Sequence, residues 1–241
     1  MKYLSFGSSS KLLVFLHGWG ADKSSFLWIK DFFVDRWRVV FLDLDGFGES
    51  PEPDSPLYVR DYVFKLKKII DKFQPKELVL VGHSFGGRVA IKFSFLFQNL
   101  YEKFSLVLVD SAGISPKRHL LYRYKVWRYK RLKIKAKTND RLKDKLKNFG
   151  SSDYKKLSPV MKQTFVNVVN EDLSNDAKFI KCKTIIVWGE KDKETKLYMA
   201  RKLNGLIAGS KLVILKDAGH FSFLEKKEDF AIILDTFLKN I

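Results

Sequence analysis

The stretch from Leu78 to Phe93, LVLVGHSFGGRVAIKF, decides how this chain is read. It begins as an unbroken apolar run, the pattern of a strand covered on both faces rather than one half open to water. It ends with Val89, Ala90 and Phe93, followed by Phe97, at the spacing of a helix that buries one side. Between the two lies Gly82-His83-Ser84-Phe85-Gly86, which fits G-x-S-x-G. A turn that passes so sharply from strand to helix strains the serine backbone, and side chains two residues to either side would collide with the neighbouring strand and helix. Glycine at 82 and 86 relieves that crowding. The Ser84 hydroxyl is then held above the strand ends, where the N–H groups of the new helix point toward whatever it attacks. Glycine-serine turns are common, so it is the strand-turn-helix setting that makes Ser84 a nucleophile candidate.

Working outward, the same alternation recurs. Apolar β-rich runs lie at 12–16, 38–42, 78–81, 105–109, 184–188 and 211–215. Helical stripes lie between most of them: Leu57, Tyr62, Leu66, Ile69, Ile70 and Phe73 form one, and Phe230, Ile233, Leu234, Phe237 and Leu238 another. Strand and helix in repeated order predict an α/β fold, a mostly parallel sheet wrapped by helices. Residues 111–183 break the pattern. They show no strand, but Ser158 before Pro159 marks a helix start and Gly150 a helix stop. Residues 1–110 and 184–241 therefore read as the core domain, and 111–183 as a helical cap inserted before the next-to-last strand.

Composition narrows the class. With 241 residues, 46% hydrophobic and 15% aromatic, the chain can bury a substantial core and is not a disordered protein. One cysteine, Cys182, cannot form an internal disulfide, and the opening residues lack a signal-peptide pattern. No apolar run approaches the ~18 residues of a transmembrane helix, and a cytoplasmic protein is expected. The net charge of +18 is high, so its distribution matters.

A serine hydroxyl needs a base, and the chain has four histidines. His83 lies inside the elbow, His17 lies in a glycine turn, and His119 opens the insertion as a solvated residue. His220, in Asp217-Ala218-Gly219-His220-Phe221, follows the last strand at the same edge of the sheet as Ser84. It is the expected base. An acid must orient it, and Asp192, after the strand that ends at Trp188, is the first choice. Asp110, after the preceding strand, and Glu190 are the rivals. Two N–H groups aimed at the developing oxyanion complete such a site. Phe85 supplies one, and Trp19 in the His17-Gly18-Trp19-Gly20 turn supplies the other.

Assembled in order, these residues resemble the α/β-hydrolase family in its form with an HGxG loop, a GxSxG elbow, an acid after the next-to-last strand and a histidine after the last. The resemblance covers nearly the whole chain outside the insertion. Asp45-Gly46-Phe47-Gly48-Glu49-Ser50 is also similar to the family's D-x-P-G-x-G-x-S loop, with Asp45 in place of proline. The short stretch before Leu12 leaves little room for the two strands that often open the family's sheet. The resemblance implies acyl transfer to water, with Ser84 as nucleophile, His220 as base, Asp192 as acid and no metal or organic cofactor. Esters, thioesters, lactones and carbon-carbon substrates all fit this scaffold. A carboxylic ester of a small molecule is the leading expectation, with Gly18, Tyr124, Trp127 and Phe221 as substrate contacts.

The charge is concentrated. Residues 117–162 hold 17 Lys and Arg against the three acids Asp140, Asp144 and Asp153, or +14 of the total +18. Leu120, Tyr124, Trp127 and Ile134 can share a helix face turned to the pocket, which leaves the basic groups to water. A solvated lysine-rich face accounts for this pattern. So does an acidic protein partner or an anionic surface. An HGWG loop with a basic cap is similar to the carboxylesterases that act on a pimeloyl methyl ester held by acyl carrier protein, although His83 stands where tryptophan is expected in that group. A nucleic-acid-binding role would have no need of Ser84, His220 and Asp192 in order, and is not expected.

Overall fold

Seven strands form one sheet in the order β1-β3-β2-β4-β5-β6-β7. They are β1 (Lys2–Phe6), β2 (Lys11–Leu16), β3 (Arg38–Asp43), β4 (Glu77–His83), β5 (Lys103–Val109), β6 (Lys183–Gly189) and β7 (Lys211–Leu215). The computed structural model describes residues 1–116, 127–128, 131–132, 134 and 152–241; Gly150, His119, Leu120 and Tyr124 lie outside the described residues. Every neighbouring pair is parallel except β1 with β3. Together with the helices packed on it, this sheet is the mostly parallel, helix-wrapped α/β architecture that the sequence predicts.

β1 adds the one element that the hydrophobic pattern did not mark. Its sequence KYLSF is mostly exposed, so it carries no buried apolar run. It is held as an antiparallel edge by the β3 backbone, with Lys2 pairing Asp43 in register, and the Lys2 N–H donates to Ser50 Oγ at 2.6 Å. A single opening strand thus fits in the short space before Leu12.

The inner strands are covered on both faces. Leu12, Val14 and Leu16 pack toward one layer, while Leu13 and Phe15 pack toward the other. The first layer holds α2 (Val59–Asp71), which buries Tyr62, Val63, Leu66 and Ile70, and α3 (Phe85–Phe97), which buries Val89, Ala90 and Phe93. The second holds α1 (Ser24–Leu27), α8 (Ser222–Glu225) and α9 (Lys227–Lys239) through Phe26, Phe223, Phe230, Leu234 and Leu238, while α7 (Leu197–Leu206) joins the first through Met199, Ala200 and Leu203. At ~25 cal/mol per Å² of apolar surface removed from water, this double covering is the main stabilising term of the fold. Asp45, in the proline position, is buried. It pairs with Lys65 and with the Met1 amine, and its carbonyl accepts from the Tyr62 hydroxyl at 3.0 Å.

Between β5 and β6 the described residues form α4 (Ser152–Lys156), α5 (Pro159–Asn170) and α6 (Ser174–Lys178). Ser158 caps α5, its Oγ accepting the Met161 N–H at 3.1 Å. The helix is seated at its middle and at its C-terminal end. Thr164 Oγ1 accepts the Leu57 N–H at 3.0 Å, and Asn167 Nδ2 donates to Leu57 O at 3.2 Å. At its far end the buried Arg88 guanidinium of α3 donates to Glu171 O at 2.6 Å and to Val169 O at 3.3 Å. Lys92, one turn further along α3, ion-pairs with Glu171 and Asp176. Leu173, Ala177 and Ile180 then join the same buried layer as α3, so the end of this segment next to β6 packs as core.

Candidate active site

Parallel register brings the carboxyl ends of the strands to one edge. Leu16 pairs with Gly82, His83 with Val109, Val109 with Val187, and Gly189 with Leu215. His17, Ser84, Asp110, Asp192 and His220 all follow these ends in the chain.

Ser84 occupies the turn between β4 and α3 with φ 49° and ψ −109°. For a residue with a side chain this backbone costs roughly 1–3 kcal/mol, and it persists because its surroundings leave no alternative. A Cβ on Gly82 would lie 2.6 Å from Gly86 O, and one on Gly86 would lie 2.2 Å from Leu16 O. Any larger residue would push the elbow off β2. The Ser84 N–H donates to Val109 O at 3.1 Å, and its carbonyl accepts the Ala112 N–H at 3.0 Å.

Three of the expected residues meet there. His220 Nε2 lies 3.0 Å from Ser84 Oγ, and His220 Nδ1 lies 2.8 Å from Asp192 Oδ2. A carboxylate can only accept, so Nδ1 carries the proton and Nε2 is left to accept from the serine hydroxyl. Asp192 Oδ1 also accepts the N–H groups of Glu194 and Thr195, at 2.8 and 3.0 Å. Burial alone would favour its neutral acid, but the hydrogen bonds from His220 and Thr195 outweigh burial and hold the carboxyl below its ordinary value. In His220 burial disfavours the imidazolium, and the Asp192 contact with the nearby Asp110 charge outweighs it. The imidazole is raised above the ordinary 6.5.

The rivals for the acid position are engaged elsewhere. Asp110 Oδ1 accepts the Gly189 N–H at 2.7 Å, while Oδ2 accepts from both the N–H and the hydroxyl of Ser222. Burial pushes its carboxyl up to about 7 against those hydrogen bonds. Glu190 accepts the Asp217 N–H at 3.1 Å. Thr195 links the two aspartate loops, its hydroxyl 2.6 Å from Asp192 Oδ2 and 3.0 Å from the Asp110 carbonyl.

The glycine turn after β2 passes directly beside the elbow. A Cβ on Gly18 would lie 3.3 Å from Ser84 Cβ. His17 Nδ1 donates to Gly18 O at 2.7 Å and its Nε2 accepts the Leu44 N–H at 3.0 Å, a pairing that fixes a neutral ring. Burial lowers its pKa further from the ordinary value, so His17 shapes this turn without a charge. Phe85 opens α3, where the N–H has no intrahelical acceptor. The Trp19 ring is packed by Phe47, Phe85 and Phe165 at centroid distances of 4.8, 5.3 and 5.0 Å.

Phe221 is 44% exposed and its ring lies 5.6 Å from that of His220. Trp127 is not turned inward as expected: it is 49% exposed, with the Arg131 guanidinium 4.5 Å from its ring centroid, and Ile134 is 67% exposed. A helix face that shows these side chains to water is not the pocket-facing stripe read from the sequence. Thr195, Ser222 and Phe165 carry no local motif, and Phe47 stands at a variable position of the Asp45–Ser50 loop. Their positions follow from contacts between segments far apart in the chain. Among the described residues, no cluster of three or more His, Cys, Asp or Glu side chains could hold a metal ion, and no helix is long and apolar enough to cross a membrane.

Comparison with known proteins identifies the family. The chain is 28% identical to the pimeloyl-acyl-carrier-protein methyl ester esterase of Wigglesworthia glossinidia brevipalpis, over 97% of this chain and 95% of that protein. It is 25% identical to the 2-hydroxy-6-oxo-2,4-heptadienoate hydrolase of Pseudomonas putida, over 83% and 78% of the two chains. An esterase from Exiguobacterium antarcticum superposes with a TM-score of 0.76 at 22% identity, covering 98% of this chain and 94% of that one. The alpha/beta hydrolase family matches residues 13–232, and the chain belongs to that family.

Proposed function

We propose that this α/β-hydrolase cleaves a carboxylic ester through an acyl-enzyme formed on Ser84. The observation that carries the reading is the continuous hydrogen-bonded run from Ser84 Oγ through His220 to Asp192. Ser84 attacks the carbonyl carbon as His220 Nε2 takes its proton, and Asp192 stabilises the imidazolium. The Trp19 and Phe85 N–H groups receive the developing oxyanion, each worth about 10²- to 10³-fold in rate. The imidazolium then gives its proton to the leaving alcohol, and neutral His220 activates the water that frees the acid. Gly18 and Phe221 border the attacked carbon in this scheme. Residues 111–183 act as the cap, from which Tyr124 completes the substrate contacts.

A second reading places the acyl group on an acidic carrier protein. The +14 charge of residues 117–162 favours it, as does the similarity to an esterase whose name specifies an acyl-carrier substrate. Hydrolysis of p-nitrophenyl esters of increasing chain length, with Ser84→Ala as the paired control, tests the main reading. Serine-dependent turnover is expected, with kcat in Ser84→Ala lower by on the order of 10⁶-fold. Near-parental turnover in that variant would overturn it. Ester hydrolysis confined to carrier-bound substrates, and suppressed by added salt, would select the second reading.

A further inference from the structure

We propose that His83 is a positioning residue that holds the His220 loop against the nucleophile elbow through its Nε2–H. This rests on the reading of His220 as the base. His83 ends β4, is fully buried beside Ser84, and places Nε2 2.8 Å from the His220 carbonyl oxygen. A carbonyl only accepts, so Nε2 is the protonated nitrogen and Nδ1 is bare. Burial also pushes the His83 pKa down to about 3, which leaves the ring neutral at working pH and its tautomer constant.

The ring stands at the junction of the three segments that make the site. On one side it meets the glycine turn, since a Cβ on Gly18 would come within 2.8 Å of Nδ1. On the other it faces the His220 loop, with centroids 4.9 Å from His220, 5.1 Å from Phe221 and 4.9 Å from Phe223. Its own backbone continues directly into Ser84. Asp192 fixes the imidazole of His220, while the His83 bond fixes the backbone from which that imidazole hangs. Without the bond the loop has one tie fewer on the side that faces Ser84, and Nε2 is no longer held at 3.0 Å from Oγ. A displacement of about 1 Å from a productive geometry can cost on the order of 10²-fold in rate.

Three substitutions separate the N–H from the shape of the ring. His83→Phe keeps a flat ring and removes the donor. His83→Gln places an amide N–H near the position of Nε2, whereas His83→Asn places one near Nδ1, on the side of Gly18. Steady-state hydrolysis of p-nitrophenyl acetate should show kcat lower by roughly 10²-fold in the Phe and Asn variants, with KM within about threefold of the parent. The Gln variant should recover to within tenfold of the parent. Thermal unfolding of each variant confirms that it is folded, and if the Phe variant does not fold, the comparison of Gln with Asn decides. Equal activity in Gln and Asn, or parental kcat in Phe, would overturn the proposal while leaving a Ser84-dependent mechanism intact. Undiminished turnover in Ser84→Ala would instead remove the reading on which it rests.

Discussion

The loops that follow β5 and β6 each deliver a buried aspartate to the same edge of the sheet, and the two behave in opposite ways. Asp110 is 0% exposed and Asp192 6% exposed, so burial alone hardly separates them. Asp110 receives only neutral donors, from Gly189 and Ser222, and its carboxyl is pushed up to about 7. Asp192 receives the imidazole of His220 together with Thr195 and Glu194, and its carboxyl is held below the ordinary range. What separates the two carboxylates is a partner that can carry a positive charge. Asp110 binds the Ser222 segment just beyond His220, while Asp192 binds His220 itself.

The most forceful way to break this contrast is to exchange carboxylate for amide at each position. In Asp192→Asn the amide can donate to His220 Nδ1 and favour the wrong tautomer, so kcat should fall by about 10⁴-fold. Asp110→Asn should stay within tenfold of the parent in kcat. If kinetics of the two purified variants gave the reverse order, Asp110 would be the acid. Stability should show the opposite ranking for Asp110. An amide there cannot accept on both sides, which leaves a buried N–H facing a donor, and urea unfolding should report a loss of about 1–3 kcal/mol. An unchanged unfolding midpoint would remove Asp110 from its structural role.

The smallest effect is in the pH profile. In the proposed mechanism His220 must be neutral to accept the serine proton, and its pKa is raised, so kcat/KM should climb with pH along a limb centred above the ordinary 6.5. The Asp110 charge contributes to that elevation, so Asp110→Asn should move the limb to lower pH by a fraction of a unit. A parent limb at or below 6.5, or a shift to higher pH in the variant, would contradict the electrostatics described.

The parts of this fold that were legible in the sequence are those whose cause is local. Strands buried on both faces must be apolar throughout, which made the five inner runs visible; the edge run at 211–215 is apolar though only partly buried, and the amphipathic stripes of α2 and α9 follow from helix geometry. β1 was not visible because KYLSF lies exposed and is held by backbone pairing to β3, which any sequence can supply. At the site, strand ends placed Ser84, His220 and two aspartates at one edge, but both aspartates satisfied the same pattern. Only distance distinguishes them. Thr195 and Ser222 act across 85 and 112 residues, respectively, to reach Asp110, and no periodicity encodes such a meeting. Trp127 shows the reverse failure, since a helical stripe of large side chains does not state which way it faces.

The seat of α5 on Arg88 bears on how this chain can diverge. The guanidinium grips the carbonyl oxygens of Val169 and Glu171, which are main-chain atoms that every amino acid provides. Residues along that part of the insertion can therefore be exchanged over generations without loosening this joint, while Arg88 itself has no equivalent donor to replace it. The arrangement separates inheritance of position from inheritance of surface. A lineage can rewrite the side chains of this segment, and the joint to α3 persists beneath the changes.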